Sequence, residues 1–135
     1  MISARTSLRL ISVVLLALAL SAFAAPASDF SGTYTLGAAA AAGKDVQLTI
    51  MLTVANNTSS SIGNATISLH EPQAGRVVYG QLSGLSLAAG KSTQVNGSFR
   101  VPQALYQSWQ KGSNPAMSVT YSDAQGNPVQ SFIQF

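Results

Sequence analysis

The chain of 135 residues contains no cysteine. This absence excludes a disulfide framework, a cysteine-based metal cluster and a lipid-modified cysteine, so the fold must be stabilised by packing alone. Charge is also scarce, at 8% of the residues. Charges this sparse cannot supply the basic footprint that nucleic-acid binding requires. We therefore expect no nucleic-acid partner.

The amino terminus carries the strongest single signal. Arg5 and Arg9 precede an apolar run over residues 10–20, which is followed by a small-x-small site ending at Ala24. These are the three parts of a secretory signal peptide. We predict that residues 1–24 are this signal, that cleavage occurs near Ala24, and that the protein is periplasmic or extracellular with no later membrane span. Retention of the segment as an anchor stays open, although the run is shorter than the roughly 20 residues that span a bilayer.

The rest of the chain alternates between apolar and polar residues, which is the pattern of half-buried strands. The clearest case is residues 45–55, where every second position is apolar: Val46, Leu48, Ile50, Leu52 and Val54. Shorter runs predict six more strands, at residues 30–36, 65–69, 76–82, 93–101, 117–121 and 129–135. Polar turns with glycine or proline separate these strands.

The connections complete the prediction of the fold. We expect residues 45–55 and 65–69 to form a hairpin-like pair, Ala38–Ala42 to be a connector, and residues 103–111 to form a short helical crossover between two sheets. About seven strands at this spacing predict an all-β, antiparallel, immunoglobulin-like sandwich. Residues 25–44 would then hold a spacer and the first strand, and residues 45–135 the body of the domain.

Three segments of the body resemble a known class of domain. They are LTIMLTVANNTSSSIGNATISLHEP, LSLAAGKSTQVNGSFRVP and SVTYSDAQGNPVQSFIQF. Their strand end of the form V-x-N-x-T/S, their L-x-x-G-x-S turn and their D-x-x-G-N hairpin are similar to those of the immunoglobulin-like or fibronectin-type-III-like domains of bacterial exported proteins. The resemblance covers roughly Val46 to Phe135 and implies a β-sandwich, while it leaves the function open.

Aromatic side chains are the best candidates for a binding site. Tyr79, Tyr106 and Trp109 could form a patch that binds a protein or stacks against a sugar, because exposed aromatic residues supply a large contact area at low entropic cost. Tyr106 and Trp109 lie three residues apart and so share a face of a helical turn. The alternative, which we favour for Trp109, is packing against the end of the sandwich.

The chemistry of catalysis is poorly represented. His70 is the only histidine, and we interpret it as a solvent-facing strand residue. A small hydrolase with His70 as general base stays an alternative, although the serines are too numerous for the sequence to single out one as the nucleophile. We expect no enzyme activity, no metal and no cofactor. Asn-x-Ser/Thr triplets, which in a eukaryotic secretory route could be glycosylated, begin at Asn56, Asn57, Asn64 and Asn96.

These observations together predict a non-catalytic, exported β-sandwich with a binding or structural role. The expected partner is a protein or a component of the cell surface, bound through an edge strand or a loop surface. The last predicted strand is one candidate, because a strand at the edge of a sheet offers unpaired backbone groups to a partner. The alternative function is a carbohydrate-binding module that uses Trp109 and Tyr106.

Overall fold

The computed structural model describes residues 28–72 and 77–135, so the predicted signal peptide lies outside the described residues. Seven strands and one helix follow one another: β1 (Phe30–Ala42), β2 (Asp45–Asn56), β3 (Ile62–His70), β4 (Val78–Leu87), β5 (Ser92–Pro102), α1 (Gln103–Gln110), β6 (Ala116–Ser122) and β7 (Pro128–Phe132). The prediction of an all-β antiparallel sandwich with a short helical crossover is therefore confirmed. None of the helical structure in the described part is long and apolar enough to cross a membrane.

The strands form two antiparallel sheets that enclose the core. One sheet has the order β1-β2-β5 and the other has the order β4-β3-β6-β7. The core consists of the apolar side chains that point inward from both sheets, and β2 supplies five of them, from Val46 to Val54, each at most 6% exposed. The alternation in the sequence of β2 therefore predicts its buried face correctly, because successive side chains of a strand point to opposite faces.

The predicted pairing of β2 with β3 is wrong. β2 lies between β1 and β5, while β3 belongs to the other sheet. The buried side chain of Asn56 directs the crossing: its amide nitrogen donates to the carbonyl of Ser60 at 2.9 Å and to that of Leu87 at 3.0 Å, and its oxygen accepts from the backbone N–H of Thr58 at 3.0 Å. These bonds bend the polar segment after β2 away from a hairpin and towards the second sheet.

The alanine-rich segment is part of β1 and not the connector that we predicted. Ala39 to Ala42 pair with residues 45–48 of β2, after a bulge between Leu36 and Ala39. Gly43, at a φ of +66°, opens the two-residue turn that joins β1 to β2, and such turns favour glycine at positive φ. Pairing with a strong neighbouring strand outweighs the weak strand propensity of alanine.

The carboxyl-terminal segment leaves its sheet after β7. The backbone N–H of Ile133 still bonds Met117 of β6 at 2.8 Å, whereas the next residue, Gln134, lies beside β1. Gln134 donates to the carbonyl of Phe30 and accepts from the N–H of Gly32, both at 3.0 Å. The predicted strand over residues 129–135 is therefore divided between the two sheets, and it closes one side of the sandwich.

The opposite side, where β4 faces β5, is closed by a side chain. The ring of Phe99 packs where two glycines leave room: a Cβ atom added to Gly80 or to Gly97 would lie 2.6 Å from a ring carbon. Gly80 therefore lets β4 continue beneath the ring.

Candidate functional site

A groove of about 530 Å³ opens at one end of the sandwich, beside α1. Its floor and walls come from the ends of β3 and β5, the start of β4, the helix and the loop after it. The lining residues are Glu71, Pro72, Tyr79, Pro102, Ala104, Leu105, Ser108, Trp109, Ser113 and Asn114. The helix lies here because Pro102 ends β5 and begins the crossover, which packs Trp109 over the core.

Two of the three predicted aromatic residues meet in this groove. Tyr79 is half-buried and Trp109 is only 4% exposed, and both line it. Tyr106 packs against the core cluster but is not among the residues that line the groove. The core-packing interpretation of Trp109 is thus confirmed. A platform made of Trp109 and Tyr106 is not favoured, because a buried indole has little face to offer a sugar.

The groove has negative electrostatic character. Burial, and then the carboxylates of Glu71 and Asp45, raise the pKa of the Tyr79 phenol above its ordinary value. Asn114 stands at the other end, where its side-chain oxygen accepts a hydrogen bond of 3.0 Å from the hydroxyl of Tyr34. This bond fixes the orientation of the amide and leaves its N–H groups as donors.

His70 is buried, so its interpretation as a solvent-facing residue is wrong. It does point to the outer face of its sheet, but it is only 4% exposed, and the ring of Phe132 lies against it with the ring centroids 5.3 Å apart. Alternation predicts the face of a strand on which a residue lies, but not whether side chains of the next strands cover that face.

The structure also places one serine against this histidine. His70 Nε2 and Ser118 Oγ lie 2.6 Å apart, and the side-chain amide of Gln130 donates to the same oxygen at 3.2 Å. Ser118 is fully buried, so a substrate could not reach its hydroxyl without a rearrangement of the sheet. His70 Nδ1 is buried without a hydrogen-bond partner among the described residues, so no described carboxylate orients the ring as in a catalytic triad.

The outer edge of β1 is the longest open strand edge. Phe30 and Gly32 use their outward backbone groups to bond Gln134. Because backbone groups alternate in direction along an antiparallel strand, the backbone N–H and carbonyl groups of Tyr34 and Leu36 also point away from β2. The bulge shifts the register by one residue, so beyond it the backbone groups of Ala39 and Ala41 point the same way.

The other edges are better protected. β7 has only five residues and begins with Pro128, while β5 carries Arg100 and ends at Pro102. The pairing of β4 with β3 is irregular at three places. By contrast, β1 runs for 13 residues without a charge or a proline, and beyond the residues that bond Gln134 its one protective feature is the bulge between Leu36 and Ala39. Charges, prolines, short length and bulges prevent pairing at a sheet edge, so β1 is the least protected of the four.

Comparisons with known proteins give no further lead: no model of a protein family matches the chain, and no curated protein is similar to it. Within residues 28–72 and 77–135, histidine, aspartate and glutamate do not gather in groups of three that could hold a metal ion. The groove and the open edge of β1 are therefore the two candidate sites. Sequence reasoning missed the edge of β1, because nothing in a run of alanines signals an unpaired strand.

Proposed function

We propose that this protein is an exported, non-catalytic binding module of the immunoglobulin-like class, which binds a partner protein by strand addition at the edge of β1. The proposal of export depends on the signal-like amino terminus. The proposal of the class is supported by the division of the strands. A constant-type immunoglobulin domain places its first, second, fourth and fifth strands in one sheet. Here six strands follow that division and β4 alone lies in the other sheet.

The observation that carries the proposed function is the uncharged backbone edge from Tyr34 to Ala41. An extended segment of a partner can bond the outward N–H and carbonyl groups there and so add a fourth strand to the sheet. The isolated bridge between Gln134 and Ser31 supports this proposal, since the carboxyl-terminal segment of the chain already bonds the first residues of the edge. Main-chain bonds would supply affinity, and the small alanine side chains would leave the strand free of steric obstruction.

Proline substitutions at matched alanines test the proposal. Ala41→Pro removes an N–H that points outward, so it blocks strand addition while the pairing of β1 with β2 stays intact. Ala40→Pro removes an N–H that faces β2 and is expected to weaken the domain itself. Ala39→Lys adds a charge to the edge, and Ser98→Lys on the outer face of β5 is its control.

The measurement is capture of partners from the exported fraction of the protein's own cell, combined with hydrogen exchange of the complex. We expect the wild-type protein and Ser98→Lys to capture the same protein, and Ala41→Pro and Ala39→Lys to lose it. In the complex, the amides of Tyr34, Leu36 and Ala41 should become protected. Equal capture by the edge variants, or protection elsewhere on the domain, would show that β1 is not the binding edge.

A further inference from the structure

The groove beside α1 combines apolar walls with a carboxylate. Tyr79 and Leu105 supply half-buried aromatic and apolar surface, Trp109 lines the groove with little exposure, and Glu71 is the one charged residue among the described residues that line it. A well-matched ligand therefore brings apolar surface together with a positive charge. This requirement is independent of the proposed function, since no residue of β1 is among the described residues that line the groove.

Among the described residues, Glu71 takes part in no ion pair. The ion pair that the described residues form joins Arg100 to Asp45, at 3.1 Å. Burial, and then the carboxylates of Glu71 and Asp45, raise the pKa of the Tyr79 phenol. A cation that enters the groove thus meets a carboxylate, that of Glu71, and an aromatic ring, that of Tyr79, among the lining residues.

We propose that this groove binds an arginine side chain that an extended segment of a partner protein presents, with the guanidinium at Glu71 and Tyr79. Arginine fits better than lysine, because its planar group can stack on an aromatic ring and bond a carboxylate through two parallel N–H groups. Its methylene stem suits the apolar walls.

The size of the groove leaves room for more than one side chain. A volume of about 530 Å³ lies within the range of small-ligand sites, roughly 300–1,000 Å³, and exceeds what a single arginine side chain fills. Residues next to the arginine in an extended segment would occupy the remainder. Asn114 can donate to a backbone carbonyl of that segment, because its oxygen already accepts from Tyr34.

Trp109 supplies the readout, because it is the only tryptophan of the chain and it lines the groove. The probe is the peptide acetyl-Ala-Arg-Pro-amide, titrated into the purified full chain while the fluorescence of Trp109 is followed. The comparison peptides replace arginine by lysine or by glutamine, and N-methylguanidine tests a free cation. We expect the arginine peptide to bind most tightly and the glutamine peptide at least about tenfold more weakly.

Two variants test the groove residues separately. Glu71→Gln keeps the shape of the side chain and removes its charge, and it should weaken the arginine peptide about tenfold or more while the glutamine peptide is unaffected. Its control is Asp29→Asn, which removes the same charge at an exposed position. Tyr79→Leu should weaken arginine binding, whereas Tyr79→Phe retains the ring and should retain the binding.

Each contrary result overturns the assignment. If the glutamine peptide binds as tightly as the arginine peptide, the groove has no cation site. If the lysine peptide binds as tightly as the arginine peptide, the site has no preference for guanidinium. N-methylguanidine binding as tightly as the peptide shows a site for small cations. Loss of peptide binding in Ala41→Pro, with Glu71→Gln unaffected, would place the peptide at the edge of β1 instead. The arginine site can therefore fail while the strand-addition function stands, and the reverse also holds.

Discussion

On the side of the sandwich where β4 faces β5, the ring of Phe99 packs between Gly80 and Gly97 and closes the core with side-chain contacts. On the side where β1 lies near β7, two backbone hydrogen bonds make the closure: Gln134 donates to Phe30 and accepts from Gly32. The side-chain packing around Phe99 allows little adjustment, because protein interiors are as dense as organic crystals. The backbone pairing on the side of β1, by contrast, can be lengthened or exchanged. The second side is therefore the one suited to a partner.

The largest test of this difference replaces one aromatic residue on each side. Phe99→Ala should lower the free energy of unfolding by about 3–5 kcal/mol, because it leaves a cavity in the core. Phe135→Ala should lower it by only about 1 kcal/mol, because it removes an edge-to-face contact with Tyr34, with ring centroids 5.0 Å apart. Urea unfolding measures both values, and Met51→Ala, at a residue 37% exposed, is the control. Losses of equal size would mean that the two sides are equally packed.

The packing beneath Phe99 can also be tested by adding a methyl group instead of removing a ring. Gly80→Ala puts a Cβ atom 2.6 Å from a ring carbon, so we expect it to lower the free energy of unfolding by about 1–3 kcal/mol through overpacking. In the background Phe99→Leu the same substitution should cost less, which a double-mutant cycle by urea unfolding detects. Gly63→Ala is the matched control, because nothing lies within 4 Å of its added Cβ. Additive effects of Gly80→Ala and Phe99→Leu would contradict the close approach.

These residues also show what the sequence predicts and what it cannot. The buried face of β2 is readable from Val46 onwards, because the period of two is a local property of the backbone. The strand at Ala39, the serine beside His70 and the groove around Tyr79 all depend on register and on which strands become neighbours. A single sequence predicts which segments are strands more reliably than it predicts which strands become neighbours. Features that depend on strand neighbours are therefore seen only in the folded chain.

A smaller effect is expected from weakening the backbone closure at β1. Gln134→Pro removes the N–H that donates to Phe30 at 3.0 Å, so the free energy of unfolding should fall by about 0.5–1.5 kcal/mol. Hydrogen exchange should become faster at Gly32, whose amide bonds Gln134, while amides of β2 keep their protection. Gln134→Ala retains the N–H and removes only an exposed side-chain hydrogen bond from Ser28, so it should change both quantities less than Gln134→Pro does. Faster exchange throughout β2 would show that this segment stabilises the whole domain instead of one edge.

The smallest effect concerns the ion pair at the far end of the same sheet. Arg100 donates to Asp45 at 3.1 Å and to the carbonyl of Ala42 at 3.1 Å, and thus ties β5 to the turn that joins β1 and β2. Because both side chains are well exposed, water and salt screen the pair. Asp45→Asn should therefore lower the free energy of unfolding by about 0.2–1 kcal/mol in low salt, and by less in 1 M NaCl. Urea unfolding at the two salt concentrations is the measurement. A loss that persists in high salt would mean that a hydrogen bond of Asp45, and not its charge, holds this end of β1.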